Sequence, residues 1–210
     1  MTRLRAAAIL SFFTVSAAFA DPASLQKARD ALAALAAKHR AAPAFSLTFT
    51  SRAIGADGNP MPPVRGTLVA ADSGRFRLTH AQGVVVSDGR TVWQHFPSTK
   101  QVVIRPANPA GEAAGAGGVL LRFLQARAVD AAPEAGGLRV ALDPSSVGES
   151  LDSLVLRLSP DGAAVRGVET QDPAGNRVSY TVSSLRYDAR PGRAAFTFKV
   201  PAGTEVVDMR

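Results

Sequence analysis

The chain contains no cysteine. That excludes a disulfide framework and any cysteine-ligated metal site. Stability must come from burial and backbone pairing. Histidine is scarce as well. His39, His80 and His95 fall on different expected elements. None has ligand spacing to a second histidine or carboxylate, and each is expected at the surface or rim. Most prominent carboxylates, Asp57, Asp88, Asp161 and Asp172, stand beside glycine or proline, where their ordinary role is turn hydrogen bonding. There is no Gly-rich phosphate loop and no Gly-x-Ser-x-Gly elbow. An enzyme would have no nucleophile or acid–base pair to work with, so none is expected, and neither is a cofactor or metal. The single tryptophan, Trp93, lies in a strand pattern and reads as a core or cavity-wall residue.

Long apolar runs are also missing, except at the N-terminus. Arg3 and Arg5 precede an apolar stretch from Ala6 to Val15, and Ala18-Phe19-Ala20 offers a small-x-small cleavage site. This is the pattern of a secretory signal over residues 1–20. The run is shorter than the roughly 20 residues a membrane helix needs. The expected mature chain, residues 21–210, is long enough for one domain with a core of its own. The formal charge is +7, with arginines scattered through strand-like segments. Without a dense basic cluster, a nucleic-acid partner is not expected. Weak attraction to an anionic membrane surface is the better use of the charge.

The residues that are present alternate. Asp21-Pro22 has the form of a helix start. Leu25, Ala28, Leu32 and Leu35 follow at spacings of three and four, and Pro43 ends the helix. From Ala44 the period becomes two: Phe45, Leu47 and Phe49 alternate with Ser46, Thr48 and Thr50. Further strands are expected around 66–68, 74–79, 84–88, 91–96 and 101–105, with Asp57-Gly58-Asn59, Asp88-Gly89 and Pro97 to Lys100 as turns. Residues 106–118, rich in proline, glycine and alanine, read as a mobile loop, and Val119 to Leu124 as a short apolar helix. Strands resume at 138–142, 154–158, 164–170, 177–185 and 194–200. About eleven strands in meander order make one curled antiparallel sheet. Its apolar face needs a cover. The two helices are small for that face, so a partly unfilled apolar interior follows.

Three stretches carry a family likeness: Gly66-Thr67-Leu68, then Gly74-Arg75-Phe76-Arg77, then Ser87-Asp88-Gly89-Arg90-Thr91-Val92-Trp93. The ending, Phe196-Thr197-Phe198 followed by Pro201 to Asp208, adds to it. Here the chain resembles the periplasmic outer-membrane lipoprotein carrier family (LolA). The resemblance implies a mainly β, unclosed barrel with helices as a lid over a hydrophobic cavity. It implies a monomeric periplasmic carrier of acylated lipoproteins. The carrier would be loaded by an ATP-driven inner-membrane releasing complex and unloaded at an outer-membrane receptor. Leu32, Leu35, Phe45, Leu47, Phe49, Phe76, Leu78, Trp93, Leu120, Leu121, Phe123 and Leu124 are the expected cavity and lid residues. At about 0.8 kcal/mol per methylene, an exposed acyl chain costs on the order of 12 kcal/mol in water, so such cargo needs a carrier. One departure stands out. The family pattern has Arg-Pro before the Gly-Arg-Phe-Arg strand, and that arginine latches the lid. Here the pair is Asp72-Ser73, and an ionised aspartate has no donor. The departure motivates one alternative, a carrier of a glycolipid or polycyclic lipid on the same fold; a lipid-sensing envelope regulatory domain is a second, of a different class.

Overall fold

The computed structural model describes residues 21–72, 74–107, 115–147 and 150–210. The expected signal over 1–20, Ser73 and most of the expected loop lie outside them. The first helix, α1, runs Pro22–Ala41, with Asp21 as N-cap accepting the Ala23 and Ser24 amides. This carboxylate occupies orphan donors of the first turn. Its stripe of Ala28, Leu32, Leu35 and Ala36 is buried.

Twelve strands follow. The first six are β1 (Ala44–Ile54), β2 (Val64–Ala71), β3 (Arg75–His80), β4 (Gly83–Asp88), β5 (Thr91–Phe96) and β6 (Gln101–Pro106). A helix, α2 (Gly115–Gln125), leads to β7 (Ala128–Glu134), β8 (Gly137–Leu142), β9 (Ser153–Leu158), β10 (Val165–Gln171), β11 (Arg177–Arg186) and β12 (Glu205–Asp208). All lie in one sheet, ordered β12-β6-β5-β4-β3-β2-β1-β11-β10-β9-β8-β7. The edges, β12 and β7, are not paired with each other, so the barrel is unclosed.

The order differs from one continuous meander. Two meanders, β1–β6 and β7–β11, are joined side by side by β1 and β11, and α2 lies on the connection between them. Three segments depart from the sequence reading: β7, residues 194–200 and β12. β7 has an Ala- and Pro-rich sequence with little strand signal. It forms because it is an edge, where Pro133 withholds no ladder donor that is needed. Residues 194–200 form no strand. A 3-10 turn at Arg193–Phe196 and the extended residues after it cross the sheet's outer face. There Arg77 donates from Nε to the Ala195 carbonyl at 2.6 Å and from its terminal nitrogen to the Thr197 carbonyl at 2.8 Å. Those carbonyls are bound by a guanidinium instead of a neighbouring strand. The chain then pairs as β12, parallel to β6.

The main core lies under β7–β10. There Leu32 and Leu35 of α1 meet Leu124 of α2, the β8 residues Leu138 and Val140, and the β9 residues Leu154 and Leu156. A second cluster, Phe45, Leu68, Ala70 and Phe76, fills the end of β1–β3. Between the two clusters the interior is not filled.

Candidate functional site

A cavity of about 400 Å³ opens in the concave face between β1–β3, β10–β11 and α2. Strand register explains its walls. Leu47 pairs with Leu185 and Leu68, and Leu68 with Leu78, so four leucines make one row across four strands. The next row is His80, Gly66, Phe49 and Val182. The outermost is Val64, Ser51, Tyr180 and Val168. All of these except Gly66 line the cavity.

Two bulges make the rows possible. A register shift opposite Thr48/Phe49 lets both Val182 and Leu185 of β11 face inward. Another between Val165 and Gly167 does the same for Val165 and Val168 of β10. A bulge inserts one residue and so reverses the alternation. In the middle row, Gly66 has a packing reason to be glycine. A Cβ there would stand 2.5 Å from Cζ of Phe49. The ring lies directly over the backbone of β2, and its edge contacts Tyr180 at 5.8 Å between centroids.

The lid side is α2. Leu120 and Phe123, three residues apart and so on one helix face, line the cavity. Leu124 is fully buried against α1 and the β7–β10 core, and Leu121 packs against that core while half-buried. The lining is graded in depth. Leu68 and Val165 are each 2% exposed, whereas Tyr180 is 38% exposed and Gln82 lies on the surface. The mouth is therefore at the Tyr180, His80 and Gln82 end. Burial among apolar neighbours pushes the Tyr180 phenol above its ordinary value.

The twelve residues singled out from sequence separate into groups. Leu47, Phe49, Leu78, Leu120 and Phe123 come together around the cavity. Leu32, Leu35, Leu121 and Leu124 belong to the α1–α2 packing, and Phe45 and Phe76 to the second cluster. Trp93 is on the outer face of β5, stacked on Phe198 of the C-terminal segment at 6.4 Å. Its cross-strand neighbours there are Val86 and Ile104. Of the histidines, His39 is buried against Phe45 and Tyr187, not at the surface. His80 lines the cavity, and His95 packs on Phe198. Sequence reasoning missed Leu68, Val165, Val168, Tyr180, Val182 and Leu185. Alternation along 177–185 points to Tyr180 and Val182, but the bulges conceal the rest.

Asp72 stands at the position where the resemblance implied a latch arginine. Asp72 pairs with Arg75 at 2.8 Å on the surface. Arg75 lies over the Phe196 ring, 5.4 Å from its centroid, and so faces away from the lid. Among the described residues, no three histidines or carboxylates group as metal ligands, and no helix is long and apolar enough to cross a membrane.

Comparison with known proteins follows the same lines. A family model described as "Outer membrane lipoprotein carrier protein LolA" matches residues 40–199. A relative from Methylibium petroleiphilum, named outer-membrane lipoprotein carrier protein, is 32% identical over 174 residues, 78% of this chain and 80% of its own length. One of the same name from Bordetella pertussis is 29% identical over 216 residues, 98% of each chain. Among solved structures, an uncharacterized conserved protein from Thermus thermophilus is similar in fold, with a TM-score of 0.52 at 13% identity over 88% of this chain and 99% of that one.

Proposed function

The chain belongs to the LolA family of outer membrane lipoprotein carriers, and we propose that it carries lipoprotein acyl chains across the periplasm in the cavity beneath α2. It acts as a monomer without enzymatic chemistry. It is exported by the signal expected at residues 1–20, takes its cargo from an ATP-driven inner-membrane complex and passes it to an outer-membrane receptor. Leu47, Phe49, Leu78, Leu120 and Phe123 form the acyl-binding wall.

The observation that carries this reading is an apolar cavity of about 400 Å³ left open inside an otherwise packed fold. A void of that size is costly to keep unless something fills it. It lies within the roughly 300–1,000 Å³ of ordinary ligand pockets. Taking about 30 Å³ per methylene, the volume share of a water, it holds on the order of a dozen methylenes. Burying them is worth about 10 kcal/mol at ~0.8 kcal/mol each. A carrier must also release its load. The absence of the family arginine leaves the lid held by the packing of Leu121 and Leu124, which suits release.

Native mass spectrometry of the protein taken gently from its own periplasm tests the reading. Adducts with lipoprotein masses support it. An apo mass alone, under conditions that preserve lipid complexes, counts against it. Asp72 in place of the latch arginine favours a second reading, carriage of a glycolipid or polycyclic lipid, which free-lipid adducts would reveal.

A further inference from the structure

The mouth of the cavity holds hydrogen-bond donors that the fold does not use. His80 lies on the same face of β3 as Leu78, and its Nδ1 accepts the Gln82 amide at 3.3 Å. A neutral imidazole that accepts at Nδ1 carries its proton on Nε2, so His80 presents a donor there. The Gln82 side-chain amide and the Tyr180 hydroxyl make no hydrogen bond among the described residues. Both line the cavity. Burial keeps Tyr180 protonated well past neutral pH, and hence a donor. Ser51, beside them, differs: its hydroxyl already donates to the Val64 carbonyl at 3.3 Å.

The opposite end of the same cavity is Leu68, Val165, Leu120 and Phe123, all buried. A purely hydrocarbon occupant would leave the three donors with water alone. An occupant with an apolar tail and carbonyl oxygens at one end satisfies both ends at once. We infer that His80, Gln82 and Tyr180 recognise the carbonyl of an acyl linkage, so that the chain enters methyl end first and its ester or amide group rests at the mouth. The inference rests on the carrier reading and adds to it a polarity of binding and the residues that impose it.

Two experiments on the purified protein test this. The first measures affinity for hexadecanoyl methyl ester and for an alkyl-pyrene probe without a carbonyl, in the native protein and in a Gln82→Ala/Tyr180→Phe double variant. One neutral hydrogen bond corresponds to roughly a five-fold change in affinity. The double variant is expected to lose about thirty-fold for the ester and less than two-fold for the probe. A free-acid arm separates the sources. An equal loss assigns the trio to any acyl carbonyl, and a loss confined to the ester assigns it to the linkage. Equal losses for ester and probe, or no loss for either, overturn the inference. The second places a nitroxide near the carbonyl or at the methyl end of the chain. The carbonyl-end label should broaden the amide signals of His80 and Tyr180, and the methyl-end label those of Leu68 and Val165. The reverse pattern refutes the orientation. Failure of the native protein to bind either chain would sink the carrier reading itself, a separate result.

Discussion

Gly66→Ala places a methyl group where the ring of Phe49 already stands. The three nearest ring carbons would lie 2.5, 3.0 and 3.1 Å from the new Cβ. Carbon atoms in contact prefer about 3.5–4.0 Å, so the ring must recede by about 1 Å. The β2 backbone is behind it and the cavity in front, so it recedes into the cavity. A displacement of that size takes up about 30 Å³, the share of one methylene. Losing one methylene of burial weakens acyl binding by about 0.8 kcal/mol, near four-fold. Gly66→Leu drives the ring further and should remove most binding. Stability responds differently. Overpacking costs about 1–3 kcal/mol, partly offset by the ~0.5–1 kcal/mol gained on replacing glycine inside a strand. The alanine variant therefore stays folded. Titration with a fluorescent acyl probe, beside a thermal melt, reads both effects. A Phe49→Leu partner should restore binding, giving a coupling measurable in a double-mutant cycle. Undiminished binding by a folded Gly66→Leu variant would refute the reasoning.

Three further outcomes are expected. Leu124→Ala, at a side chain packed on all sides, should cost about 2–5 kcal/mol in urea denaturation, whereas Phe123→Ala, which faces the cavity, should cost less and alter acyl binding more; the opposite ranking would contradict the lid geometry. Arg77→Ala removes both bonds to the 193–199 segment, and tryptic cleavage at Arg193 and Lys199 should accelerate several-fold with the sheet intact; unchanged digestion would mean the segment is held by its aromatic contacts alone. In acid, Asp161 is held below its ordinary 3.8 chiefly by the Ser159 hydroxyl, Asp172 by the Asn176 amide, and Asp208 down to about 2 by Arg210. Groups with depressed folded values stabilise above the unfolded value and lose that contribution as pH falls through the folded one, so the urea midpoint should decline from about pH 4 toward pH 2, and a flat profile there would exclude these carboxylates.

Much of this protein is legible along its chain because the signals are local. The cap at Asp21, the stripe of Leu32 and Leu35 and the stop at Pro43 specify α1 within 20 residues. The turn at Asp172 follows from Asn176 bonding back to it and Gly175 taking a φ of 89°. Period two from Phe45 to Phe49 marks an inward face before any partner is known.

The cavity itself is decided elsewhere. Its leucine row joins residues 47, 68, 78 and 185, and only long-range pairing sets that register. The β11 and β10 bulges reverse alternation at points where the local sequence carries no mark, so Leu185 and Val165 turn inward against their apparent period. Trp93 reads as an interior residue by type, yet it sits on the outer face because the C-terminal segment folds back over it. The sequence by itself determined where α1 and most of the strands lie, which side chains alternate and, through its motifs, which family the chain resembles. Tertiary structure alone decided which faces meet and where packing stops short, because a void is a property of several strands together and of no single segment.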